Sequence, residues 1–118
     1  MNLIPTRNHR GEFDVLVSTR TAQAAMMTLP LGGTSSDDPQ NEHPWAEQWL
    51  FVISGTGTAR AGTRSVKLRE RDLLLIERRE IHQIKNTGRA PLVTINFYVP
   101  PAYTSAGERR SAPPTRRR

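Results

Sequence analysis

The chain has 118 residues, no cysteine, 36% hydrophobic residues and a formal charge of +6. That length fits one domain with a small core, and the lack of cysteine excludes disulfides and thiolate metal sites and is compatible with a reducing cytoplasm. The charge is mostly local: Arg109, Arg110, Arg116, Arg117 and Arg118 against Glu108 leave +4 in residues 101–118, so the first 100 residues carry only the remaining +2.

Residues 1–11 are polar and irregular and read as an N-terminal arm. They lack the charged region followed by an apolar region that marks a secretory signal, so the chain reads as cytoplasmic. Glu12 to Thr19 alternates around Phe13, Val15 and Val17, a strand pattern. Thr21 to Leu29 continues as a second strand, with Ala24, Met26 and Thr28 on one face and Ala25, Met27 and Leu29 on the other. Pro30 to Gln40 is a loop by composition.

The stretch Asn41 to Gly57 organises the chain. A polar cluster runs directly into Trp49-Leu50-Phe51-Val52-Ile53, an aromatic and β-branched strand closed by Ser54-Gly55-Thr56-Gly57. Asn41 and His43 share parity, and four residues separate His43 from Gln48. An imidazole and several hard oxygens at a strand entrance suit a divalent metal or a polar ligand. A hairpin over 58–69 follows, then the apolar run Leu73–Ile76. In the next strand Ile81, Gln83 and Lys85 oppose His82, Ile84 and Asn86. The last strand, Pro91 to Val99, places Leu92, Thr94, Asn96 and Tyr98 opposite Val93, Ile95, Phe97 and Val99. Many short strands with Gly or charged turns and no amphipathic helix predict an all-β antiparallel barrel or sandwich over 12–101. Residues 102–118, rich in Ala, Pro, Ser and Arg, read as a disordered tail. Arg can neutralise phosphates, but without interleaved aromatics the tail does not make the chain a nucleic-acid binder. No apolar run approaches the roughly 20 residues of a membrane span.

The spacing from Asn41 to Gly55 resembles the first motif of the cupin superfamily, in which two histidines, a glutamate and a glycine recur. On that frame Asn41 and His43 stand at the histidine positions, Gln48 at the glutamate and Gly55 at the glycine. Arg71 to Asn86 resembles the second motif, with His82 as its histidine and Asn86 as its asparagine. Arg71, Glu77 and Arg79 stand where the family has Gly, Pro and Gly. Asn86-Thr87-Gly88, Pro91-Leu92 and Tyr98 to Pro101 resemble small stand-alone cupins. A small core leans on a partner chain, so a homodimer is expected. The resemblance implies a small antiparallel jelly-roll β-barrel and a pocket of Asn41, His43, Gln48 and His82 able to hold Mn, Fe, Ni or Zn. It implies dioxygenase, isomerase, epimerase or lyase chemistry on a small polar organic ligand, or a non-catalytic binding or sensing barrel with a decayed metal site. Asn41 and Gln48 bring no charge. Glu42 or Glu47 would replace them if side-chain direction shifts by one residue. Trp45, Trp49, Phe51, Phe97 and Tyr98 are expected in the core or the pocket wall, and His9 receives no role.

Overall fold

The computed structural model describes residues 1–9, 11–36 and 43–110. Eight strands form: β1 Phe13–Ser18, β2 Gln23–Leu29, β3 Glu47–Ser54, β4 Gly57–Ala61, β5 Arg64–Leu68, β6 Leu73–Ile76, β7 His82–Asn86 and β8 Leu92–Val99. Two antiparallel sheets result, one of five strands in the order β1-β2-β8-β3-β6 and one of three in the order β5-β4-β7. The fold is all-β, as the period-two patterning predicts. Among the described residues no helix is long and apolar enough to cross a membrane, which leaves membrane crossing by strands untouched.

Alternation sends one face of each sheet inward. Met27, Leu29, Leu50, Val52, Ile76 and Leu92 from the larger sheet meet Ala59, Leu68 and Ile84 from the smaller one. The parity reading of β2, β7 and β8 holds in the register: Met27 pairs with Thr94 and Ala25 with Asn96 across β2–β8, and Ala59 pairs with Ile84 across β4–β7. The continuous apolar run Leu73–Ile76, which reads as a core strand, is not one. It is the sheet edge, and Leu73 and Leu75 are exposed. Phe51 and Phe97 also face outward and are exposed rather than walling a pocket. Period-two parity separates the faces but does not say which apolar face is covered.

Three turns hold the sheet ends. Gly55 takes φ +89°, and a Cβ there would collide with the Pro91 carbonyl oxygen and lie 2.9 Å from Leu92 Cα. Arg71 and Arg79 take φ 71° and 64°, the left-handed conformation for which glycine is the unstrained residue, at a cost of roughly 1–2 kcal/mol each. The Arg79 amide donates to the Pro44 carbonyl at 3.2 Å. That bond ties the turn preceding His82 to the turn following His43.

The segment expected to be a tail from residue 102 packs on the body as far as 110. Ala102 and Tyr103 are buried, and Tyr103 bridges to Arg109. The cause is Gln23, whose side-chain oxygen accepts the Ala102 and Tyr103 amides at 3.2 and 3.0 Å, while its nitrogen donates to the Tyr103 carbonyl at 2.8 Å. Residues 111–118 lie outside the described part of the chain. His9, given no role by the sequence, pairs with Asp14 of β1.

Candidate functional site

At one end of the sandwich the inward rows turn polar. His43 sits in the loop before β3, Gln48 on β3 and His82 at the start of β7. All three are buried. The imidazole centres of His43 and His82 lie 5.1 Å apart. Two stretches far apart in sequence therefore bring their histidines to one place. Asn41 and its alternative Glu42 lie outside the described residues. Glu47 points to the other face, where its carboxylate accepts the Trp49 indole N–H at 3.1 Å, so Gln48 and not Glu47 faces the histidines. Asn86 serves the fold. Its amide donates to the Leu29 and Ala90 carbonyls at 3.0 and 2.8 Å, and its oxygen accepts the Gly88 amide at 2.9 Å.

A buried hydrogen-bond chain fixes which end of the Gln48 amide faces His43. It begins at the Met27 carbonyl, which can only accept. The Thr94 hydroxyl donates to it at 3.2 Å and so accepts from the Asn96 amide nitrogen at 2.9 Å. Asn96 is left presenting its oxygen to the Gln48 nitrogen at 2.8 Å. The Gln48 oxygen must then face His43 Nε2, 3.0 Å away. Each assignment follows from donor and acceptor inventory alone.

His43 thus meets an oxygen acceptor at each ring nitrogen, because Nδ1 lies 3.3 Å from the Ala46 carbonyl. A neutral ring carries one proton and satisfies one of them. Burial pushes the His43 pKa below its ordinary 6.5, and the neighbouring His82 adds to the effect. A second proton is thereby disfavoured. A cation held by Nε2 and the Gln48 oxygen would resolve the conflict, since Nδ1–H could then donate to Ala46. His82 has the same arrangement, with Nδ1 2.9 Å from the Glu80 carbonyl, the backbone anchor typical of metal-binding imidazoles. Two imidazoles sharing an ion at about 2.1 Å with an angle of about 90–110° have centres roughly 4.5–5.2 Å apart, and the separation here falls in that range.

The residues therefore fit a borderline divalent ion such as Mn, Fe, Ni or Zn, held by two nitrogens and one amide oxygen. Among the described residues no group of three or more His, Asp or Glu side chains is placed to hold a metal, so the described donors, two imidazoles and one amide, bring no negative charge.

The lowered His43 pKa has a consequence for stability. Below pH 6.5 the unfolded chain takes up the proton before the folded chain does, so the contribution is complete above 6.5 and is lost as pH falls towards the folded value. Urea unfolding between pH 8 and 5 is expected to show falling stability, with a shallower slope in His43→Gln. Equal slopes in the two proteins contradict the assignment.

A cavity of about 210 Å³ adjoins His82 and is lined by Gln48, His82, Tyr98 and Tyr103 beside the apolar Phe13, Met27, Leu29 and Ile84, with Glu12, Thr34, Ser35 and Ser36 also bordering it. His43 does not border this cavity. It packs against His82 and edge-on against Tyr98, whose ring centre is 5.0 Å away. Tyr103, Asn96, Thr94 and Gln23 were not assigned to the site from sequence. Polar residues at the inward parity of β8, flanked by Leu92 and Tyr98, carried that signal for Asn96 and Thr94. Nothing local marked Tyr103.

A two-sheet jelly roll with a polar, histidine-bearing pocket at one open end defines the class. The Cupin domain model matches residues 25–98, and the chain belongs to the cupin family. Among solved structures it is similar to BH2720 from Bacillus halodurans, at 24% identity and TM-score 0.76 over 84% of this chain and 77% of that one. It is similar to KdgF from a Halomonas species, at 12% identity and TM-score 0.73 over 86% and 94%. A predicted oxalate decarboxylase from Thermotoga maritima matches at 19% identity and TM-score 0.64 over 75% and 79%. At these identities the likeness concerns the fold. No curated protein matches the chain.

Proposed function

We propose that the chain binds a small polar organic molecule in the cavity between its sheets, beside a divalent ion held by His43, His82 and Gln48, and acts as a metal-dependent enzyme. The observation that carries this reading is the orientation of the donors: two imidazoles anchored through Nδ1 to backbone carbonyls, and an amide oxygen turned to the same point by a buried chain that leaves it no other direction. Bound there, the ion supplies Lewis acidity to oxygen atoms of the ligand. The chain does the rest. Phe13, Met27, Leu29 and Ile84 exclude water and strengthen polar contacts. Glu12, Tyr98 and Tyr103 border the space in which the ligand would sit and bring the proton-bearing groups. Family resemblance supports dioxygenase, isomerase, epimerase or lyase chemistry. The neutral donor set favours a second reading, a non-catalytic binding or sensing barrel.

The test is metal titration of protein purified without chelator or histidine tag. At mildly alkaline pH near-stoichiometric Zn or Ni binding is expected, lost in His43→Ala and His82→Ala. Gln48→Glu should tighten it by about tenfold or more by adding the missing charge. Failure of Mn, Fe, Co, Ni and Zn alike rejects the metal-dependent enzyme and leaves the binding barrel.

The proposal includes a homodimer through the outer face of the five-stranded sheet. There Phe51 stands opposite Leu73 and Ile95, and Trp49 opposite Leu75 and Phe97. Leu73 is 60% and Phe97 44% exposed. The exposed part of that face centres on β3, β6 and β8, because the outward Met26 of β2 is already buried, and a two-fold axis lets one such face cover itself. Light scattering should give twice 13.3 kDa, and Phe51→Glu should halve it. A monomer at micromolar concentration overturns the assembly.

A further inference from the structure

The inner face of the smaller sheet carries three cross-strand rows. Leu68, Gly57 and Asn86 form the first, and Val66, Ala59 and Ile84 the second. Both belong to the packed interior. The third row, nearest the open end, is Arg64 on β5, Ala61 on β4 and His82 on β7. Arg64 and His82 therefore point to the same side of the sheet, two strand spacings or about 10 Å apart. Between them Ala61 contributes one methyl group. The row leaves a gap bounded by a guanidinium at one end and the site imidazole at the other.

That gap belongs to a second cavity, of about 230 Å³, between the β4–β5 hairpin and the sheet-edge strand β6. Its charged and titratable borders are Arg60, Arg64, Glu80 and His82. Glu80 is engaged locally, its carboxylate accepting the Glu77 amide at 3.1 Å. Arg64 makes no ion pair among the described residues, and its strand position points inward although the side chain is exposed. His82 borders this cavity and the one beside Gln48 alike, so a molecule entering past Arg64 reaches the site histidine.

We infer that the site takes a carboxylate, and that Arg64 is the residue that selects it. The planar guanidinium grips a carboxylate through two parallel N–H bonds. It does so at the mouth, where water keeps the free Arg64 solvated, and the rest of a short organic acid spans Ala61 towards His82. This inference rests on the reading proposed above of His82 as a site residue, and adds a charged ligand in the second cavity that His82 also borders.

The experiment is calorimetric titration of the full chain, loaded with Zn or Ni if it binds them, with malonate and with its neutral counterpart malonamide. Malonate is expected to bind about tenfold or more tighter than malonamide. Arg64→Gln should erase that preference by weakening malonate alone. His82→Gln should weaken both ligands. Lys67→Gln removes an equal charge from the outward face of the same strand and should change malonate affinity by less than about twofold. Arg64→Gln lies on the surface and should leave the fold intact, which the unchanged malonamide affinity checks within the same titration. Malonate no tighter than malonamide overturns the inference, as does an equal loss in Arg64→Gln and Lys67→Gln. If either occurs while metal still binds at His43 and His82, only the Arg64 assignment falls. An Arg64-dependent malonate preference in a protein that binds no metal instead removes the metal and keeps the acid.

Discussion

Replacing Asn96 by Leu should cost about 2–5 kcal/mol and loosen the metal site together. Asn96 is fully buried and joins Gln48 to Thr94. Leu can neither accept from the Gln48 amide nitrogen nor donate to the Thr94 hydroxyl. Each buried group left without its partner costs roughly 1–3 kcal/mol. The functional effect follows from the same break. Without Asn96 nothing sets the sense of the Gln48 amide, and its nitrogen can turn towards His43 in place of its oxygen. Metal affinity should fall even though no ligand has been removed. Urea denaturation and metal titration on one preparation check both halves. The double variant Gln48→Leu, Asn96→Leu separates them further. It removes both partners of one bond and should be more stable than the sum of the single losses predicts. A strictly additive double variant would mean that the chain does not act as a unit.

Tyr103→Ala should cost roughly 3–5 kcal/mol, the range for removing a large buried aromatic. The Tyr103 ring lies 4.6 Å from Phe13, 5.0 Å from Tyr98 and 6.3 Å from His43, centre to centre. It therefore closes the cavity and supports the His43 side of the site. A chain ending at Pro101 should be destabilised by a similar amount or more, since it also loses the Gln23 contacts. A midpoint unchanged by either alteration would show that residues 102–110 contribute no stability.

Tyr103 also marks the limit of what the sequence discloses. The strands were legible because their burial alternates with period two, and the parities of β2, β7 and β8 carry straight into the register. His43, Gln48 and His82 were named through the resemblance of two motifs framed on Gly55 and Asn86, and the structure brings the three side chains together. Tyr103 was not, because a composition rich in Ala, Pro, Ser and Arg says nothing about one distant glutamine. Gln23 reaches Tyr103 across 80 positions of chain, and the inward parity of Gln23 on β2 says nothing about its partner. Phe51 and Phe97 failed for the opposite reason. Their hydrophobicity is plain, but which side of a sheet is covered depends on what packs on it. Arg64 lay in a turn by sequence. The register that makes it a neighbour of His82 exists only once β4 pairs on both of its edges.

The central claim is that His43 and His82 share one ion through their Nε2 atoms while their Nδ1 atoms keep protons for the Ala46 and Glu80 carbonyls. Long-range proton–nitrogen correlation of the three histidine rings, followed during Zn titration at mildly alkaline pH, reads each nitrogen separately. The account predicts that the Nε2 signals of His43 and His82 shift together, that the shift saturates near one ion per chain, and that both rings hold a proton at Nδ1. His9, paired with Asp14 away from the site, should stay unchanged at that stoichiometry. Shifts confined to His9, or a response from only one of the two site histidines, would contradict the shared site.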